Sequence, residues 1–329
     1  MSAIKLSMVD ELLLDLYIKL LRLRLVEEAI AARYSEQAMR CPVHLSIGQE
    51  AVPIGVSAHL SISDYAMSTH RSHNHYLAKG GDLKRMVAEI YGKVTGCCKG
   101  KGGSMHLVDR EVGFLGATPI VGSTIPIAVG AALGSVMAGE GRTTIVYLGE
   151  GATEEGVFHE SINFAFLRKL PIVFICENNL YSVYSNLSVR QPNERSVHEM
   201  VAGHGLWSRG GDGNNLEAVY QLAGEAISHA RSGKGPAFVE FSTYRWREHC
   251  GPNYDNGIGY RTEKEFEQWR RKCPVQSTFE RLKQQEILSD EKDLTLREEI
   301  SAEIEAAFLF AKESPFPDRE QLTTSLYAE

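Results

Sequence analysis

The stretch from Thr143 to Asn179, TTIVYLGEGATEEGVFHESINFAFLRKLPIVFICENN, decides how the rest of the chain is read. It opens on a β-branched run that stops at Gly149, passes through glycines on either side of Glu150, and continues as EEGVFHESINFAFLRK with helical spacing of its apolar residues. LPIVFICE then reads as a second buried strand. Strand, glycine turn, helix and strand in this order make one strand–helix–strand unit, whose two strands run parallel. Downstream, LEAVYQLAGEAISHAR reads as a helix and AFVEFSTY as another strand. Such alternation predicts an α/β fold built on a doubly wound parallel sheet.

Working outward, apolar residues recur at helical spacing from Val9 to about Met39, with Leu12, Leu16, Leu20, Leu23 and Val26 on one face. IGQEAVPIGVSAHL reads as a helix crossed by Pro53, and DLKRMVAEIYGK as a shorter one opening at Asp82. The segment from Gly96 to Gly122 is glycine-rich and without period, as a functional loop would be. After Tyr260 the chain turns charged and helical through Lys312, with a proline-bearing tail at Pro315 to Pro317.

With 329 residues, 43% of them hydrophobic, there is length for a large core, and a net charge of −7 leaves no electrostatic footprint for nucleic acid. The N-terminus lacks a basic segment before an apolar core, so no secretory or transit signal is expected and the expected location is cytoplasmic. The weakly polar run Ile120 to Ala138 carries Ser123, Thr124, Pro126 and glycines, which suits close helix packing rather than a bilayer span. The six cysteines form no C-x-x-C pair and are read as reduced thiols.

In a doubly wound sheet, ligands sit beyond the carboxyl ends of the strands, where glycine turns bare their N–H groups. Gly149-Glu150-Gly151 holds one such end and Glu177 to Ser182, ENNLYS, the next. A carboxylate from one turn with amide and backbone oxygens from the other suits a hard cation of the Mg²⁺ type bridging to a diphosphate, although the same residues also suit two ordinary loops. GGDGNN, at Gly210 to Asn215, is read differently: Asn214 or Asn215 caps the following helix after a glycine turn.

A G-D-G followed roughly 25 to 30 residues later by N-N is the thiamine-diphosphate signature, and Gly149-Glu150-Gly151 with Asn178-Asn179 has about that spacing. HLSIGQEAV, HRSHNHYLAKG, TGCCKGKGGSMHL, PIVGSTIPIAVGAAL, FHESINFAFLRKLPIVFICENN and STYRWREHCGP add to it. Together, from roughly Leu16 to Thr262, the chain resembles the alpha subunit of the thiamine-diphosphate-dependent dehydrogenase component of 2-oxo acid dehydrogenase complexes, nearest its pyruvate and acetoin members. The resemblance implies the thiamine-diphosphate-binding fold as one domain over residues 1–329, with an N-terminal helical arm (1–45), an α/β core (46–262) and a C-terminal helical region (263–329).

It also implies roles. Arg71 would hold the diphosphate, with Gly149 in the same turn and Gly151 and Ala152 giving backbone contacts. The Val121 carbonyl would meet the aminopyrimidine. Glu150, Asn179 and the backbone oxygen of Tyr181 would ligate Mg²⁺. His249, the catalytic candidate, would contact the diphosphate side from a mobile loop. Two positions depart from the family: Glu150 stands where aspartate is usual, and His70 where an aromatic residue, commonly tyrosine, is usual. One added methylene moves a carboxylate by roughly 1.5 Å, so the loop is expected to recede slightly.

The implied activity is an oxidoreductase in which cleavage of a 2-oxo acid or acetoin leaves a cofactor-bound carbanion, whose acyl group passes to the lipoyl domain of an acyltransferase. The glutamate that activates the cofactor would come from a beta subunit, in an assembly of two alpha and two beta chains. The helix from Ile125 to Ala138, rich in small residues, suits that interface or an internal contact. Alternatives are a two-subunit carboligase of transketolase type without a lipoyl partner, and a structural subunit that binds no cofactor.

Other features carry less. His70, His73 and His75 are read as hydrogen-bond donors near the reacting centre rather than zinc ligands. GCCKGKGGS fails as a nucleotide loop because glycine follows Lys101 and no strand leads in. Cys250, beside His249, is read as a loop residue.

Overall fold

A computed structural model of the chain describes residues 10–324; Val9, where the first helix was expected to begin, lies outside them. Helix α1 spans Asp10–Arg33 and stops short of Met39, because the chain tightens into a 3₁₀ turn at Tyr34–Glu36 and Gln37 takes φ 56°. The next helices are α2 (Ala51–Ser57), α3 (His73–Ala78) and α4 (Leu83–Ile90). Pro53 falls in the first turn of α2, where its missing N–H has no helical partner to lose. Strands β1 (Tyr65–Ser68) and β2 (Phe114–Ala117) flank α3 and α4 in sequence, and β2 lies inside the segment read as having no regular structure.

The quoted stretch forms as expected: β3 (Thr144–Gly149), a 3₁₀ turn over Glu150–Glu154, α6 (Gly156–Leu167) and β4 (Ile172–Asn178), with α5 (Thr124–Ala138) preceding them. A small hairpin, β5 (Tyr181–Ser182) and β6 (Ser185–Asn186), leads to α7 (Val197–Ala202), β7 (Trp207–Asp212), α8 (Leu216–Arg231) and β8 (Ala237–Ser242). Helices α9 (Glu263–Arg270), α10 (Pro274–Gln284) and α11 (Asp290–Glu313) close the chain, and α11 packs on α4 and α1.

The six longer strands form one parallel sheet in the order β2-β1-β3-β4-β8-β7. Alternate side chains of its central strands serve two cores: Ile145, Tyr147, Val173 and Ile175 face the layer of α1–α4, α8, α10 and α11, whereas Val146, Leu148, Phe174 and Cys176 face α5–α7. Each such fully buried apolar side chain contributes about 1.5–3 kcal/mol over exposure, so β3 and β4 anchor the sheet. From β1 the chain winds out to β2, then crosses back to β3, so the winding reverses between β1 and β3. That reversal opens a crevice at the strands' carboxyl ends.

Helices α5 and α6 pack together and leave an apolar outer face. Ile127, Val136 and Met137 of α5 and Phe164, Phe166 and Leu167 of α6 are exposed, and nothing approaches within 4 Å of where a Cβ would stand at Gly130 or Gly134. Among the described residues no helix is long and apolar enough to cross a membrane.

Candidate active site

The carboxyl ends of β1, β2, β3 and β4 surround a cavity of about 200 Å³. Its walls include Arg71, Val121, Gly149, Glu150, Gly151, Ala152, Asn179, Tyr181 and His249, the residues given cofactor or metal roles from the sequence. Residues from five separate loops therefore converge at the winding reversal. His44, Gln49 and Glu177 join them and had been given no individual role; the motif beginning at His44 and the ENNLYS turn pointed there.

Arg71 is the buried cation of the cavity. Its Nη1 donates to the Leu45 carbonyl at 2.6 Å and its Nη2 to the His249 carbonyl at 3.2 Å. Burial, with Arg245 nearby, lowers its pKa to about 10, which leaves it charged at neutral pH. Beside it the rings of His44, His70 and His249 stand 4.7 to 5.2 Å apart, centroid to centroid. Burial first, and the Arg71 charge second, push their pKa values down to about 2, 3 and 4 respectively, so all three are neutral imidazoles. His44 Nδ1 is buried without a partner. A cation and uncharged ring nitrogens with hydrogen-bonding capacity to spare suit an anionic ligand.

The other two histidines of HRSHNH do not reach the cavity, which corrects their expected role. His73 sits in the core between Glu27 (2.6 Å) and Ser104 (2.7 Å). His75 meets Ser68 at 2.7 Å, stacks on Tyr147, and lies 3.2 Å from a Glu177 oxygen. The loop carrying His249 has several ties in this structure: Asp255 pairs with Arg245 and Arg261, Arg261 donates to the Arg245 carbonyl at 2.8 Å, and the Gly251 N–H reaches the Val43 carbonyl at 2.8 Å.

On the opposite wall the glycine turn is open, with nothing within 4 Å of a Cβ position at Gly149, while a Cβ on Gly151 would stand 2.9 Å from Ser182 Oγ. Glycine at both positions lets a ligand or the neighbouring loop approach the backbone. Glu150 is buried, which raises its pKa against the opposing pull of Arg190. Its Oε1 accepts from Arg190 Nη2 at 2.6 Å, and Arg190 also pairs with Glu154. Asn179 Oδ1 accepts from the Tyr181 N–H at 3.2 Å, and the Tyr181 hydroxyl turns away to Glu265. Val121 lies at the exposed rim, in the turn before α5.

Two look-alike motifs resolve differently. The GCCKGKGGS loop wraps the Glu89 carboxylate, which accepts N–H bonds from Cys98, Gly100, Gly102 and Gly103 at 2.7 to 3.1 Å. In GGDGNN Gly210 and Gly211 extend β7 and Gly213 opens a turn; Asp212 Oδ1 accepts from Asn214 N–H at 2.9 Å, and Asn215 caps α8 through Ala218 N–H at 3.0 Å.

The family model described as dehydrogenase E1 component matches residues 18–320. The alpha subunit of acetoin:2,6-dichlorophenolindophenol oxidoreductase from Bacillus subtilis (strain 168) is 38% identical over 327 residues, covering 98% of this chain and 95% of that one. The counterpart of that name from Cupriavidus necator is 36% identical over 318 residues, covering 96% and 94%. The pyruvate dehydrogenase E1 component subunit alpha of Porphyra purpurea is 35% identical over 324 residues, covering 96% and 93%. With the converging loops and matches over nearly the whole length, the chain belongs to the dehydrogenase E1 component family, among its thiamine-diphosphate-dependent alpha subunits.

Proposed function

We propose that this chain works with a beta subunit, two of each, as the dehydrogenase of an acetoin- or 2-oxo-acid-oxidising complex that hands its acyl group to a lipoyl acyltransferase. The observation that carries the reading is the meeting of Arg71, the Gly149–Ala152 turn, Asn179 and His249 at one cavity. Arg71 would bind the diphosphate, assisted by N–H groups of the glycine turn, and the Val121 carbonyl would meet the aminopyrimidine from the rim. The neutral His249 can donate or accept a proton at a ring nitrogen near the diphosphate side, and the Arg71 bond to its carbonyl ties its backbone to the cation. The bound cofactor supplies a nucleophilic thiazolium carbon, chemistry no side chain offers.

Two observations favour a partner chain. A cavity of about 200 Å³ falls below the roughly 300–1,000 Å³ of an enclosing ligand pocket. Both carboxylates in its lining are also engaged, Glu150 by Arg190 and Glu177 near His75, so the glutamate that activates the cofactor is left for the beta subunit to supply. The bare apolar face of α5 and α6 offers that subunit a surface.

A divalent cation is proposed at Glu150, Asn179 Oδ1 and the Tyr181 carbonyl. Titration calorimetry of thiamine diphosphate with Mg²⁺ into the chain co-expressed with its beta partner tests the reading, with Glu150→Asp in parallel. Saturable, magnesium-dependent binding by the native pair is the expected result. Binding by the aspartate variant alone would leave the native chain as a structural subunit.

A further inference from the structure

The carboxylate at the proposed metal end of this cavity is already held by an arginine from behind the lining. Glu150 is one methylene longer than the aspartate usual at its position, and the longer side chain meets Arg190 Nη2 at 2.6 Å. The contact is built, not incidental. Arg190 bridges Glu150 and Glu154, its Nε donates to the Ser185 carbonyl at 3.1 Å, and the adjacent Gln191 Nε2 donates to Glu154 at 3.0 Å. Arg190 Nη1 also stands 3.6 Å from the Cβ position of Gly151, the backbone assigned to the diphosphate. The guanidinium is largely buried, at 12% side-chain exposure, and Glu150 almost wholly so, at 2%.

We propose that Arg190 is a positioning residue for the metal end of the site: it holds the lengthened Glu150 carboxylate and competes with a divalent cation for it, so that metal binds appreciably only together with the cofactor's diphosphate. Two cations on one buried carboxylate repel each other, and the repulsion is little screened where water is excluded. A diphosphate brings the negative charge that lets both remain. Metal affinity is therefore conditional on cofactor, and Glu150 and Arg190 form a functional couple in place of aspartate alone.

The inference rests on the thiamine-diphosphate reading of the cavity, and the test separates the two. Mn²⁺ is titrated into the alpha–beta complex, followed by the paramagnetic resonance of the free ion, without and with thiamine diphosphate. The native complex is expected to bind Mn²⁺ at least ten-fold more tightly with the cofactor than without it. Arg190→Met frees two carboxylates and is expected to bind Mn²⁺ alone at least ten-fold more tightly than the native complex. Arg190→Lys, which keeps the charge, should stay near native and serves if the methionine variant does not fold; a lysine variant that gains metal-alone binding counts against the proposal. A merely structural tie between the loops would lower thermal stability in Arg190→Met and leave metal-alone affinity unchanged, which overturns the proposal. Absence of cofactor binding to the native complex at any metal concentration would instead overturn the underlying reading.

Discussion

Glu89 and Glu150 are both buried carboxylates beside glycine turns, and they do opposite things. Glu89 accepts four backbone N–H groups from a loop that has closed on it, so the glycines there are spent on an internal anion. Glu150 lines a cavity, and besides backbone contacts at Glu150 and Asn179 it takes a side-chain partner, Arg190, at 2.6 Å. A glycine-rich loop marks close approach of backbone to an anion, and only the neighbourhood tells whether that anion is part of the protein or a ligand. Location in the sheet separates the two. Glu150 follows β3, beside the winding reversal, whereas Glu89 belongs to α4 on the flank.

The comparison breaks first at Glu89. Glu89→Ala strands four half-buried N–H donors, each costing up to about 1–3 kcal/mol before water or relaxation compensates, so a loss of about 3 kcal/mol in urea denaturation is expected. A change under 1 kcal/mol would mean that water replaces the carboxylate without difficulty. Next in size is Arg71→Ala, which removes the cavity's buried cation. Charged hydrogen bonds of about 1.5–3 kcal/mol translate to a 10- to 100-fold loss of thiamine diphosphate affinity by calorimetry, with stability affected less than in Glu89→Ala.

The three cavity histidines sharpen the contrast through pH. Their folded pKa values of about 2, 3 and 4 lie below the roughly 6.5 of an unfolded histidine. The unfolded chain then binds more protons than the folded one between pH 6.5 and about 4, so their contribution is intact above 6.5 and is lost as pH falls through that window. Melting temperature should drop from pH 7 to pH 5, and His70→Phe should flatten the drop. The smallest effect belongs to Asp212, the acid of the look-alike GGDGNN. Exposed on the edge strand, it should tolerate Asp212→Asn with a change of about 0.5 kcal/mol or less and unaltered cofactor affinity.

The parts of the fold legible in the sequence are those with long runs of one period. Strands β3, β4 and β8 are buried on both faces and read as mainly apolar runs, and α8 spans the residues its pattern names. Strands β1 and β2 are four residues each, too short for a period to register, and β7 carries two glycines and an exposed edge. Motifs brought to one cavity the positions given cofactor or metal roles, though not His73 and His75. What the motifs could not show was pairing between distant loops: His44 with His70 and His249, and Glu150 with Arg190, 40 positions apart. Those contacts exist only once the sheet has brought the strand ends together.

That convergence sets a timetable. The cavity walls run from His44, before the first strand of the sheet, to His249, after the last. Closing such distant segments is slow compared with forming any one helix–strand unit, so a chain leaving the ribosome holds most of its core before the ligand site exists. Cofactor capture should be the final event of refolding, lagging the recovery of secondary structure, and the cofactor can act only as a seal on a finished protein rather than as a template for building one.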